Sequence, residues 1–159
     1  NKVYRRRIFQ GLRYPVGKLY EDTFIVADVY ARAKRVVCLN RALYDYRQRS
    51  TGIMLSARKL RDYDAVEAAE ALIDRLLDMR LTDAVPASEK MMFTSLRNVY
   101  YHLPPEQRRD PRTKDAKRRH WATLRKMRAH HCLPVKTAVR STAFHLAPAL
   151  CRRWWADCR

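Results

Sequence analysis

The chain is poor in the residues that loop-rich, disulfide-bonded or membrane-spanning proteins need. Only three of its 159 residues are glycine, which argues against a β-protein with many tight turns. Its four cysteines form no Cys-x-x-Cys pair, so we predict no metal site and expect a reducing, cytoplasmic compartment. No apolar run approaches the length of a membrane span. One domain, with or without a tail, fits this length.

Acidic residues are also scarce, since 34 Lys and Arg face 16 Asp and Glu and give a formal net charge of +18. Residues 1–54 have 12 basic and 4 acidic side chains, residues 55–96 have 6 and 8, and residues 97–159 have 16 and 4. Both ends are therefore cationic around a balanced middle. Such a potential attracts nucleotide phosphates, nucleic acid or an anionic bilayer.

The first part of the chain predicts α/β structure. A helix is expected from Asp22 to about Lys34, with Asp22 as its N-cap, and its apolar residues lie nearly all round, which predicts a buried helix. Residues 36–39 and 43–46 then read as short strands. Cys38 is expected to be buried in the first of them.

The rest of the chain predicts helices. A helix with 3–4 spacing of apolar residues is expected over about 63–80, and a second one, capped by Ser88, ends before Pro104. Two more are expected over about 111–131 and after Pro134. The predicted division is an α/β piece over residues 1–56, a helical extension over 57–131 and a basic amphipathic helix over 132–159.

Glu21 and Asp22, at the predicted start of a helix, are the first candidate site residues. Acids there usually stabilise the free N–H groups and the helix dipole and do nothing else. A well-placed carboxylate can also take a proton from a substrate. Arg47, Gln48 and Arg49 follow an aromatic segment and could either hold a phosphate or only protect a solvated strand edge.

The chain contains several short motifs in a characteristic order and spacing: Asn1-Lys2-Val3-Tyr4-Arg5-Arg6, Arg13-Tyr14-Pro15, Gly17-Lys18, Glu21-Asp22, Val36-Val37, and residues 43–49 continuing to Ile53-Met54. Taken together, they resemble bacterial family 2 glycosyltransferases, which are inverting enzymes of the GT-A fold. The resemblance covers residues 1–54 and fades afterwards. It implies that this α/β piece is the C-terminal, acceptor-side portion of a GT-A domain.

The resemblance also implies roles for the candidate residues. Asp22 would be the catalytic base that deprotonates the acceptor hydroxyl, and Glu21 a supporting acid. Arg47, Gln48 and Arg49 would hold the leaving diphosphate of a nucleotide-sugar donor. The acceptor would be a glycan or a lipid-linked sugar. One departure is Gly52, which stands where the family often has a serine that contacts phosphate.

The family's nucleotide-binding half, with its Asp-x-Asp metal and phosphate site, normally precedes such motifs. The chain starts at Asn1 without it, so we expect a fragment that lacks this half and is inactive alone. The intact enzyme is expected to use Mg or Mn, with ligands outside this chain. Asp62-Tyr63-Asp64 has the right letters, but its position predicts capping of a surface helix.

The basic C-terminal part leaves three interpretations. His120 and Trp121, among many cations, could stack on nucleic acid, although aromatic-rich RNP-like segments and zinc-ligand spacing are missing. A helical scaffold for an acidic partner is another alternative. The apolar stripe of the last helix, with Trp154-Trp155 beside arginines, favours an anionic membrane surface. We therefore predict a peripheral location on the inner face of the plasma membrane and consider nucleic acid the less favoured partner.

Overall fold

The computed structural model describes residues 2–47, 60–129 and 135–147, and these ranges contain five α-helices and several short 3-10 turns. The α-helices are α1 (Glu21–Arg32), α2 (Asp64–Asp78), α3 (Val85–His102), α4 (Pro111–Ala129) and α5 (Val135–Leu146). The 3-10 turns are Arg6–Phe9, Leu60–Tyr63, Thr82–Ala84 and Pro105–Arg109. No strand is found within these described ranges.

The predicted α/β fold is therefore wrong, because both predicted strands lie in described residues and neither forms. Val36, Val37 and Leu43 are 56%, 62% and 65% exposed, and Cys38 is exposed as well. A strand is stabilised by backbone hydrogen bonds to a neighbouring strand. The described residues provide no such neighbour, so high β-propensity alone does not produce a sheet.

The core lies between α2, α3 and α4, and α1 packs on α2. Leu96, Val99 and Leu103 form the buried stripe of α3, each at most 1% exposed, and this predicted stripe is confirmed. They pack with residues from the turn before α2, from α2 and from α4. The central cluster is Tyr63, Val66, Leu96, Val99, Tyr100, Leu103 and Ala116.

Helix α2 is central, although its start was predicted to lie on a surface helix. Ala68 and Ala69 are 0% exposed, and α2 contacts both α1 and α3. Small side chains let neighbouring helices approach closely. The predicted apolar stripe is confirmed at Val66 and Leu76, whereas Leu77 is 51% exposed and lies outside the core.

Two predicted helix starts are displaced. α1 begins at Glu21, with Tyr20 as its N-cap, so Asp22 is the second helical residue. α3 begins at Val85, and Ser88 lies inside it, where its Oγ donates to the Ala84 carbonyl oxygen at 3.3 Å. Proline in the first turn of α3 favours this earlier start. α1 is also buried only in part, since Tyr30 is 48% exposed.

None of the helices within the described ranges has the length and apolar character needed to cross a membrane.

Candidate functional site

The acidic pair lies in the first turn of α1. Glu21 and Asp22 are the first two helical residues, and both are exposed. The Oγ1 of Thr23 donates to Oδ1 of Asp22 at 3.4 Å. The positive end of the helix dipole stabilises ionised carboxylates at this position. The structure therefore presents a solvent-accessible carboxylate on a helix end.

The loop before α1 is fixed by a buried acid on α2. The backbone N–H of Leu19 donates to Oδ2 of Asp64 at 2.9 Å, and Lys18 Nζ lies 3.3 Å from Oδ1 of the same residue. Lys18 also contacts Glu67. Asp64 is only 9% exposed. Asp62 precedes α2 and Asp64 is its first residue, so both lie at the start of a helix as predicted. The carboxylate of Asp64, however, binds the loop at residues 18–19.

The same loop makes an unusual turn immediately before the acidic pair. Gly17 has φ of 76° and Tyr20 has φ of 60°, both in the left-handed region. Such a φ is rare for a residue with a side chain. Arg61 adds a hydrogen bond to the Gly17 carbonyl oxygen at 3.2 Å. The turn is thus held from α2 and from the turn before it, and it sets the direction in which α1 begins.

A cavity of about 140 Å³ opens beside this turn. Its walls come from the start of α1, the region before α2, and one face of α3. The lining side chains are Tyr20, Thr23, Asp62, Ala65, Met91, Ser95 and Asn98. Five of them have hydroxyl, carboxylate or amide groups that can hydrogen-bond a hydroxyl-rich ligand. Thr23 connects the cavity to Asp22, because it lines the cavity and bonds to that carboxylate.

The sequence analysis did not find this cavity. Met91, Ser95 and Asn98 follow the i, i+4, i+7 spacing of a single helix face. The two polar residues on this face, Ser95 and Asn98, were the feature of the sequence that could have indicated a pocket wall. Only the position of α1 against this face, which depends on tertiary packing, makes it a pocket wall.

The segment before α1 contains a cluster of aromatic side chains. The ring centroids of Tyr4 and Phe9 are 5.4 Å apart, and those of Phe9 and Tyr14 are 5.8 Å apart. Burial, followed by the fields of Tyr14, Tyr30 and Asp22, raises the pKa of Tyr4. The Tyr4 hydroxyl therefore lies within electrostatic range of the Asp22 carboxylate.

The predicted phosphate-binding residues are only partly described. Arg47 is exposed at the end of the segment that was predicted to be a strand. Gln48 and Arg49 lie outside the described residues, as does Gly52. The predicted strand over residues 43–46, which these residues follow, does not form.

Within residues 2–47, 60–129 and 135–147, no group of three His, Cys, Asp or Glu side chains could hold a metal ion. A divalent metal in a protein needs several oxygen ligands in close, regular geometry. The side chains that the structure describes therefore do not fit the Mg or Mn ion that the family resemblance implies.

A polar network that the sequence analysis missed connects the start of α2 to α4. The Tyr63 hydroxyl donates to Oδ2 of Asp115 at 2.7 Å and accepts from Arg119 Nη1 at 2.7 Å. Arg119 also pairs with Glu70. Burial, together with the bond to Asp115, raises the pKa of Tyr63 to about 12. The network joins the start of α2 to α4, so we assign it to the fold.

The two rings proposed for nucleic-acid stacking are engaged inside the protein. His120 is 0% exposed and stacks on Phe93 with centroids 4.5 Å apart. Trp121 stacks on His145 of α5 at 4.2 Å. His120 is therefore not accessible for stacking on a base, which counts against the nucleic-acid alternative.

Comparison with known proteins adds one relationship. A stretch of 48 residues is 44% identical to glycosyltransferase GlyA of Streptococcus pneumoniae serotype 4. Part of this chain is similar to a glycosyltransferase. The match covers 30% of the chain and 7% of the relative. No family model matches the chain, and no solved structure matches it. The comparison supports a relationship to glycosyltransferases in general and agrees at that level with the motif resemblance.

Proposed function

We propose that this chain is part of an inverting glycosyltransferase of the family 2 type, with the acidic pair of α1 at its reaction centre. The donor is a nucleotide sugar, and the acceptor is a hydroxyl of a glycan or a lipid-linked sugar. The main support is the exposed Asp22 carboxylate, bonded to Thr23 of a small cavity, in a chain of which 30% is similar to a glycosyltransferase.

Asp22 is the proposed general base. Its carboxylate accepts the proton of the acceptor hydroxyl while that oxygen forms a bond to the anomeric carbon of the donor sugar. The bond from the anomeric carbon to the diphosphate oxygen breaks on the opposite face, so the configuration inverts and the nucleoside diphosphate leaves. Glu21 is proposed to support the acceptor or the turn.

The cavity is proposed to hold the acceptor sugar ring. Its volume of about 140 Å³ is below the roughly 300–1,000 Å³ of pockets that enclose larger ligands. It suits one ring better than a whole nucleotide sugar. The hydroxyl of Ser95 and the amide of Asn98 can hydrogen-bond sugar hydroxyls, and Tyr20 adds an aromatic wall.

Arg47, Gln48 and Arg49 are proposed to bind the leaving diphosphate. Each guanidinium group can form two parallel hydrogen bonds with phosphate oxygens and neutralise part of their charge. Donor binding also requires a nucleotide-binding half, which is a proposed partner of this chain. The Mg or Mn ion of the intact enzyme would be bound there and would neutralise diphosphate charge.

The first prediction tests Asp22. In the complete enzyme that contains this chain, Asp22→Asn should lower the rate of sugar transfer by at least about a hundredfold, because the amide cannot take the proton. Release of nucleoside diphosphate is the assay. Glu21→Gln, at the neighbouring exposed position, should cost clearly less.

Asp83→Asn, an exposed acid in another helical turn, is the control for nonspecific charge effects. If Asp22 only stabilises the helix start, its substitution should cost about 0.3–1 kcal/mol of stability. The transfer rate would then stay at the wild-type level, and our assignment of the base would be wrong.

A further inference from the structure

We propose that the outer face of α5 is a docking surface for an anionic lipid bilayer. We call this surface the α5 face; it consists of Val135, Ala138, Val139, Ala143 and Leu146, with Thr142 among them. The proposal is independent of the glycosyltransferase assignment, because it rests only on α4 and α5.

The amphipathic pattern of α5 is turned outward. Val135, Val139 and Leu146 are 78%, 62% and 74% exposed, whereas Ser141 is 4% exposed. The helix contacts α4 and is attached to it through the stack of His145 on Trp121, whose rings lie 4.2 Å apart and 11° from parallel. In an ordinary surface helix the apolar stripe faces the core. Here the exposed Val135, Val139 and Leu146 lie on the outward face instead, and Ser141 is buried.

The α5 face forms one wall of a broad groove with Arg128 of α4. The groove has a volume of about 810 Å³ and is lined by the α5 face and this single cationic side chain. Thr142 does not add a free polar group, because its hydroxyl donates to the Ala138 carbonyl oxygen at 2.9 Å. The surface presented is therefore apolar with a cation at its edge.

The charge around this surface is complementary to an anionic one. Residues 111–147 contain ten Lys and Arg against one acid, Asp115, and α5 itself contains no Asp or Glu. Asp115 is already paired with Arg118 and Arg119 and accepts from the Tyr63 hydroxyl. Arg125 and Arg128 on α4 are exposed. Arg119 and Lys126 pair with Glu70 and Glu89 of other helices, so the exposed Arg125 and Arg128 are cations that an anionic surface can meet.

A bilayer fits these observations better than nucleic acid does. Nucleic acid rewards cations and accessible aromatic rings, but His120 is buried and one side of Trp121 is covered by His145. Exposed Val and Leu side chains contribute nothing to phosphate binding. They do gain free energy at the boundary between headgroups and acyl chains, where amphipathic helices with cationic borders bind. Trp154 and Trp155 lie outside the described residues and are not needed here.

The experiment is flotation of the full chain with two kinds of vesicle, one of phosphatidylcholine alone and one of phosphatidylcholine mixed with phosphatidylglycerol. The test variant is Val139→Ser with Leu146→Ser. Both positions are exposed, so the fold should persist, and circular dichroism checks this. Leu77→Ser, at an exposed apolar position of α2, is the matched control.

We expect binding to the anionic vesicles, at least about tenfold weaker partitioning for the double variant, and no change for Leu77→Ser. Arg128→Glu should weaken binding more than Lys90→Glu, an equal charge change at an exposed position of α3. Equal partitioning of wild type and double variant would overturn the proposal. So would an absence of vesicle binding combined with tight binding of an oligonucleotide.

Discussion

Lowering the pH below about 6.5 should destabilise the helical core through the buried side chain of His120. The ring is 0% exposed and stacks on Phe93. Burial, followed by the positive fields of Arg97 and His145, lowers its pKa from 6.5 to about 4. Because this pKa is lower in the folded state, the unfolded chain binds the proton first as the pH falls. The contribution of His120 to stability is fully present above the pKa that its ring has in the unfolded chain, and it is lost as the pH falls towards 4.

The size of the effect follows from the two pKa values. A shift of one unit corresponds to about 1.4 kcal/mol, so the free energy of unfolding should fall by about 3 kcal/mol once the pH is below 4. Most of this loss, about 2 kcal/mol, is expected by pH 5. A loss of this size is a large part of the roughly 5–15 kcal/mol that stabilises a typical domain.

The assay is urea unfolding of wild type and of His120→Gln between about pH 7 and pH 5. Carboxylates and His145, whose pKa is lowered by burial and Lys117, titrate in both proteins. The difference between the two pH dependences therefore isolates His120. Between about pH 7 and pH 5, the free energy of unfolding of wild type should fall by about 2 kcal/mol more than that of His120→Gln. Parallel pH dependences, or an NMR titration of His120 with an ordinary midpoint, would refute the reasoning.

Two further predictions concern packing. Asp64→Ala removes the acceptor for the Leu19 N–H and the Lys18 ammonium and should cost about 1–3 kcal/mol in thermal unfolding; an unchanged melting temperature would contradict the anchoring role. Leu96→Ala, at a position that is 0% exposed, should cost about 2–5 kcal/mol. The same change at Leu77 should have little effect, and equal losses at both positions would contradict the described core.

Helices with a regular apolar stripe were predictable from the sequence, because periodicity is a local property. The buried stripe of α3 and the proline-limited end of that helix were both correct. The helix starts were less accurate, since Ser88 and Asp22 are plausible caps by residue type alone. Which residue becomes the N-cap depends on the preceding turn, and at Tyr20 that turn is held by tertiary contacts.

The prediction of strands was wrong because strands, too, depend on tertiary contacts. Residues 36–39 have strong β-propensity, but a strand exists only when a second segment satisfies its backbone groups. A sequence pattern cannot show whether that segment is available. The features of the candidate site likewise divide into local ones, which the sequence predicts, and tertiary ones, which it does not. The acidic pair at a helix start was predictable, whereas its anchoring by Asp64 and its cavity wall at Ser95 and Asn98 come from distant parts of the chain.

Ion pairing between segments explains how so basic a chain packs and where its excess charge remains. Many acids of the region between residues 28 and 89 pair with a cation from another segment. These pairs are Lys18 with Asp64 and Glu67, Arg75 with Asp28, Arg119 with Glu70, and Lys126 with Glu89. The acids that balance the charge in the middle of the chain therefore form ion pairs between segments that pack together.

The cations of residues 111–147 are in excess, because only one acid lies among them. Their mutual repulsion is unfavourable, and a bound anionic surface would reduce it. On the proposal above, the same excess of cations would favour binding of an anionic bilayer at the α5 face.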